Sequence, residues 1–198
     1  MSQILLLQSS LNGPVSRTNQ LMERFLQTRR EQGHQDQVVV RDLTALDLPV
    51  LDSPLFHALR GAEPANEAIR QAVALSDRLI AELKAADLLL IGAPMYNLNV
   101  PTPLKNWFDL VARAGVTFRY TDTYPMGLVE GVNALVFSSR GGVHQGQTTD
   151  AVTPYLKSVL GLMGIPVEFV YAEGMDLRPH GAEQGMREAH ARIAGLGR

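Results

Sequence analysis

Three stretches of the chain carry residue types suited to holding a charged, flat ligand. The first is Ser9-Ser10-Leu11-Asn12-Gly13-Pro14-Val15-Ser16-Arg17-Thr18. It joins the apolar run Gln3–Gln8 to a segment with Leu21, Met22, Phe25 and Leu26 at helical spacing. A strand, a hydroxyl-rich loop and a helix N-terminus therefore follow one another. The first N–H groups of a helix lack an acceptor within it, its dipole adds partial positive charge, and Ser or Thr hydroxyls add donors. That combination takes a phosphate. Plain capping by Ser16 or Thr18, worth about 1 kcal/mol, uses the same residues and is the competing reading. The second stretch, Pro94-Met95-Tyr96-Asn97-Leu98-Asn99, combines apolar contact, an aromatic ring and two amides. A flat heteroaromatic ring needs this mixture of apolar face and polar edge. A proline-bounded turn with Tyr96 packed on the surface is the alternative. The third, Ser139-Arg140-Gly141-Gly142, places two adjacent glycines after an apolar run, which permits close backbone approach and exposes successive N–H donors. It also reads as a tight turn. His144 adds either a donor at the same edge or a solvent-exposed loop histidine.

The phosphate site is of an uncommon kind. There is no G-x-x-x-x-G-K-[ST] and no G-x-G-x-x-G, so neither a P-loop nor a dinucleotide fingerprint is present. A mononucleotide phosphate held by hydroxyls and amides remains, and flavin mononucleotide (FMN) suits it, with close to two charges on one terminal phosphate. Donors from the Gly141-Gly142 turn, aimed at the pyrimidine edge of a flavin, would stabilise the negative charge that reduction places there. Metal chemistry has no support. There is no cysteine, no H-E-x-x-H and no paired-carboxylate pattern, and His34, His57, His180 and His190 lack partner spacing. Asp109 reads as a solvated or capping charge.

The elements that must position these loops alternate along the chain. Apolar runs at Gln3–Gln8, Gln37–Arg41, Asp87–Ala93, Asn133–Ser139 and Val167–Tyr171 read as strands. Helical spacing covers a segment beginning near Ser16 to Thr18, then Glu67–Leu83, Pro103–Val111, about Asp150–Leu162 and about Gly181–Ala194. Residues 43–64, with Pro49, Pro54 and Pro64, read as loop with short helical turns at most, and 115–131 as a hairpin or excursion. Five alternations with right-handed crossovers give an α/β three-layer αβα sandwich around a five-stranded parallel sheet of order 2-1-3-4-5. Ligands of such sheets sit beyond the carboxyl ends of the strands, beside strands one and three. The three unusual stretches follow strands one, three and four.

Composition sets the outer bounds. At 198 residues the chain is expected to form a single domain, 1–198. A net charge of −2 supplies no footprint for nucleic acid or an anionic membrane. No apolar run is long enough to cross a bilayer, and no basic region followed by an apolar core opens the chain, so a cytoplasmic protein is expected.

Six segments, in order, resemble the bacterial FMN-dependent NADH azoreductases. They are Ser9-Ser10, Ser16–Leu21, Ala93–Asn97, Leu104–Asp109, Ala112–Tyr120 and Ser139–Gly142, with Leu48–Asp52 and Ala172–Gly174 in support. The resemblance implies a flavodoxin-like homodimer with one FMN per subunit, NADH or NADPH as hydride donor, and quinone, azo or nitroaromatic acceptors reduced in a ping-pong cycle. It implies that Ser10, Ser16, Arg17 and Thr18 hold the phosphate. Met95, Tyr96, Asn97, Leu98, Ser139, Arg140, Gly141 and Gly142 would hold the isoalloxazine ring. Phe118 and Tyr120 would wall the substrate site near the dimer interface, and Leu162 stands where a side chain reaches the partner's site. No side chain is an obligatory acid or base, with His144 and Asn97 the candidates for such a part. Family members often carry an aromatic residue where Leu98 stands and another in the Gly161–Gly164 segment; both are aliphatic here, which bears on acceptor range. Two other readings stay open: an electron carrier of the flavodoxin type, and a non-catalytic FMN-binding regulatory module.

Overall fold

A computed structural model describes residues 1–196. Strand β1 (Gln3–Gln8) leads through a short 3-10 turn at Gly13–Val15 into α1 (Arg17–Glu31). Next come β2 (Gln37–Asp42), α2 (Ser53–Ala58), α3 (Glu67–Ala85), β3 (Leu88–Gly92) and α4 (Thr102–Val111). Two short strands, β4 (Phe118–Arg119) and β5 (Met126–Gly127), precede β6 (Asn133–Ser139), α5 (Val152–Met163), β7 (Val167–Ala172) and α6 (Gly181–Leu196).

The sheet is read directly from its side-chain alternation. Leu5 and Leu7 pack with Leu89, Ile91, Ala134 and Val136 toward α3, α4 and α5, whereas Ile4 and Leu6 pack with Leu90, Leu135 and Phe137 toward α1 and α6. A strand buried on both faces must lie inside a sheet covered on both sides. The five long strands are parallel, in the order β2-β1-β3-β6-β7, which is the expected 2-1-3-4-5 when the sheet strands are counted in chain order. Central β1, β3 and β6 thus end at one edge, and β2 forms an exposed border with Val39 and Val40 half open to solvent. At Gly92 a Cβ would stand 2.7 Å from the Met22 Cε of α1, so the end of that flexible side chain would have to shift to admit it.

The excursion between α4 and β6 is the antiparallel pair β4–β5. Gly127 abuts the backbone at Met163 and Gly164, leaving no room for a side chain, and the Val129 N–H donates to the Met163 carbonyl at 3.0 Å. Gly164 closes α5 with a φ of 87°, the left-handed cap that glycine adopts most readily. Among the described residues no helix is long and apolar enough to cross a membrane.

Candidate functional site

The loops after β1, β3 and β6 are stitched together by their own polar atoms. Ser9 Oγ donates to the Gly92 carbonyl at 2.6 Å, and Tyr96 Oη lies 3.1 Å from Ser10 Oγ while accepting from the Leu11 N–H at 3.1 Å. The Met95 N–H donates to the Ser139 carbonyl at 2.9 Å. Between these loops lies a crevice of about 350 Å³, within the usual size range of small-ligand sites, roughly 300–1,000 Å³.

Of the residues expected at the site, Arg17, Met95, Tyr96, Ser139, Arg140 and Gly141 line this crevice. Ser10, Ser16 and Thr18 are buried at the bases of the same loops. Ser16 is the N-cap of α1: its Oγ accepts from the Asn19 N–H at 3.2 Å and lies 3.0 Å from Thr18 Oγ1. Both the capping role and the anion role are compatible with this placement, because the N–H groups of Arg17 and Thr18 have no acceptor among the described residues. Gly141 and Gly142 likewise keep free N–H groups.

Three expected ring contacts have their side chains directed elsewhere. Asn97 and Leu98 form the tip of a tight turn in which Tyr96 and Asn99 exchange backbone hydrogen bonds at 2.9 and 3.0 Å. Both tip residues have positive φ, 50° and 65°, a conformation that costs a residue other than glycine on the order of 1–2 kcal/mol. Leu98 is 46% exposed, and Asn97 lines a neighbouring cavity of about 360 Å³ with Asn99, Thr102, Lys105 and Tyr155. Burial, then the Asp109 charge, pushes the Tyr155 phenol up, so it stays neutral.

Arg140 shows the third case. Its backbone lies at the crevice with both polar groups engaged, the N–H donating to the Ala172 carbonyl at 2.9 Å and the carbonyl accepting from the Met175 N–H at 3.0 Å; its side chain is 0% exposed and turned under the loop. There the guanidinium donates to Asp150 at 3.0 Å, Glu173 at 3.2 Å, Thr153 at 2.8 Å and Ser138 at 3.2 Å, and lies 4.7 Å from the Tyr171 ring centre. Glu173 Oε1 also accepts from the N–H groups of His144 and Gln145, each at 2.8 Å. Burial alone would raise the Asp150 carboxyl, but the Thr153 N–H and hydroxyl and the Arg140 charge outweigh it and hold the group below the usual carboxylate range. The network shapes the glycine turn from below. His144 Nδ1 is engaged with Thr149 Oγ1 at 2.8 Å.

Phe118, Tyr120 and Leu162 are not brought to the crevice within one chain. Phe118 lines a separate cavity beside Leu51, Phe56, Arg60 and Asp109, and Tyr120, 65% exposed, accepts from Arg60 at 3.2 Å. Leu162 is partly buried near the end of α5. The crevice also holds Asn12, Val15 and Pro94, from stretches the sequence singles out without giving these residues a contact, and Met175, Asp176 and Ala182, which sequence reasoning missed. Met175 and Asp176 arrive on the turn after β7, which no motif marks. Among the described residues no cluster of His, Asp and Glu is arranged to hold a metal ion.

A family model for the flavodoxin-like fold matches residues 2–196. The chain belongs to the flavodoxin-like family. Within that family it is 66% identical over 197 residues to the FMN-dependent NADH:quinone oxidoreductase 4 of Burkholderia lata, with 99% of each chain covered. It is 52% identical to the FMN-dependent NADH:quinone oxidoreductase of Aeromonas salmonicida, again over 99% of each. A solved azoreductase from Bacillus anthracis superposes with a TM-score of 0.87 at 28% identity, covering 100% of this chain and 99% of the other.

Proposed function

We propose that this flavodoxin-like protein is an FMN-dependent NADH:quinone oxidoreductase that also cleaves azo bonds. The observation that carries the reading is the two-ended crevice. One end is the capped N-terminus of α1 with the free N–H groups of Arg17 and Thr18; the other is Gly141, which lines the crevice and, like Gly142 next to it, keeps its N–H free among the described residues. The donor set fits FMN, since a phosphate and an electron-rich ring edge both want N–H groups rather than acceptors. The names of the 66% and 52% identical relatives carry the same cofactor and activity.

Bound FMN supplies two-electron acceptance from NADH and donation to a quinone or azo acceptor. The protein orients and selects. Ser16, Thr18 and the first turn of α1 anchor the phosphate. Pro94, Met95 and Tyr96 offer an apolar wall to the ring, with the Tyr96–Ser10–Leu11 bonds holding that wall at a fixed distance from the phosphate loop. The Gly141 N–H, with that of Gly142 beside it, would donate to the ring edge where reduction places negative charge. With no catalytic acid or base required of a side chain, water delivers the protons. NADH and the acceptor use one open face in turn.

The same reading takes residues 1–198 as one FMN-binding unit working in the cytoplasm as a homodimer, with nitroaromatics among its acceptors. Phe118 and Tyr120, and Leu162 on α5, then serve the partner's crevice, which accounts for their standing away from their own. An electron carrier of the flavodoxin type is less favoured, because a net charge of −2 gives no strongly acidic docking face. The deciding experiment is a visible spectrum of the purified, FMN-loaded protein under nitrogen. Bleaching by NADH and recovery on adding a quinone are expected; a protein that takes up no FMN, or that NADH leaves yellow, refutes the proposal.

A further inference from the structure

Asp176 belongs to none of the stretches that point to the cofactor, yet it stands in the crevice. Three backbone hydrogen bonds strap its segment to the glycine turn: Gly174 N–H to the Gly142 carbonyl at 2.9 Å, Met175 N–H to Arg140 at 3.0 Å and Asp176 N–H to Gly141 at 3.0 Å. The carboxylate lies over Gly141. A methyl group on that glycine would collide with Oδ2 and stand 3.2 Å from Cγ. Among the described residues this carboxylate receives no hydrogen bond and forms no ion pair, unlike Asp150 and Glu173 below it.

None of the charged groups around it among the described residues pairs with it, including Arg178 and His180, which line a second cavity with Asp176 but form no ion pair with it. The Arg140 guanidinium is buried between two carboxylates, a group summing to one negative charge. Arg17, the other cation lining the crevice, sits at the phosphate end and donates to Gln20 at 3.2 Å. His144 Nε2 lies beside Gly142, 2.9 Å from where a Cβ on that glycine would stand, with Nδ1 held by Thr149. Gly141 thus opens on the crevice with an uncompensated carboxylate at its side.

We propose that Asp176 lowers the reduction potential of the flavin by fixing a negative charge beside the ring edge that Gly141 meets. The inference rests on the FMN reading above. Reduction by NADH adds negative charge to that edge, and a like charge nearby disfavours the reduced form relative to the oxidised one. The residue exchanges no proton or electron in the cycle; it biases the couple toward giving electrons to the acceptor. Two unit charges several ångströms apart near a protein surface shift an equilibrium by about tenfold, less at high salt.

The test uses FMN-loaded Asp176→Asn, Asp176→Ser and Asp176→Glu proteins. Two quantities are read: the midpoint potential by anaerobic dye equilibration, and the affinity of the oxidised flavin for sulfite, whose adduct also places negative charge on the ring. The neutral variants are expected to raise the potential by about 30 mV, which is tenfold for a two-electron couple. They bind sulfite about tenfold more tightly, both effects shrink at about 1 M salt, and Asp176→Glu behaves as wild type. Neutral variants that match wild type overturn the proposal. So does Asp176→Glu shifting as far as Asp176→Asn, which would make shape rather than charge the cause. A neutral variant that loses FMN makes Asp176 a cofactor-holding residue and overturns the tuning role. Wild-type protein that takes up no FMN removes the underlying reading, and this inference with it.

Discussion

Replacing Arg140 with Met removes the cation on which two inward-facing carboxylates converge, and the structure sets the size of the loss. Taking one partner from a buried ion group costs about 3–5 kcal/mol, because the remaining charges stay desolvated. Here the carboxylates are not abandoned: Glu173 keeps the N–H groups of His144 and Gln145, and Asp150 keeps that of Thr153. The lower end, about 3 kcal/mol, therefore applies, equivalent to about 6–12 °C in melting temperature for a chain of this size. The pH dependence supplies a second check. The folded-state carboxyl of Asp150 is held below its ordinary value, so its stabilisation is complete above the unfolded value and is lost as pH falls through the folded one. In Arg140→Met that carboxyl moves up, and the variant gives up less stability on acidification. Thermal melts followed by circular dichroism should show a gap that holds down to about pH 5 and narrows from there toward about pH 2. A variant melting within about 1 °C of wild type, or a gap indifferent to pH, would refute the assignment of Arg140 as the keystone beneath the glycine turn.

Other outcomes follow from the same geometry. Ser16→Ala removes the N-cap of α1 and, under the proposed function, a hydroxyl that holds the phosphate, so flavin-fluorescence titration should show FMN bound about tenfold more weakly, about 1.4 kcal/mol, with riboflavin unaffected. Equal weakening of both would put the phosphate elsewhere. Gly141→Val should purify colourless, since the added branches collide with Asp176 and block the close approach; a fully yellow, active protein would contradict that placement. Tyr96→Phe cuts the link from the loop after β3 to Ser10 and Leu11, and FMN affinity measured by the same titration should fall by a few-fold, in line with about 1 kcal/mol per hydrogen bond. Steady-state rates with NADH and a quinone should give parallel double-reciprocal lines, whereas intersecting lines would mean both substrates are bound together.

Much of this architecture is legible before any coordinates, for a physical reason. Leu5–Leu7 and Leu89–Ile91 are buried on both faces, and such strands leave unbroken apolar runs. Ser16 declares the start of α1 through its capping chemistry. Less legible is the direction of Arg140. Its position on the even-numbered side of β6, with Ala134, Val136 and Ser138, is the signal that turns it toward α5, but a glycine-rich turn after a strand reads first as backbone chemistry. Asp176 leaves no trace in pattern or spacing, since it reaches the crevice only through three main-chain bonds from a turn 35 residues further along. The two-residue strands of the excursion are too short for periodicity to resolve beyond a hairpin.

The left-handed tip at Asn97 and Leu98 separates two properties that binding loops usually tie together. Its shape is held by the main-chain exchange between Tyr96 and Asn99, while the Leu98 side chain projects outward and supports nothing beneath it. Residue 98 can therefore be varied without loosening the turn that carries Tyr96, so Leu98→Phe and Leu98→Gly are the substitutions to use under the proposed function to ask whether this position bears on acceptor range.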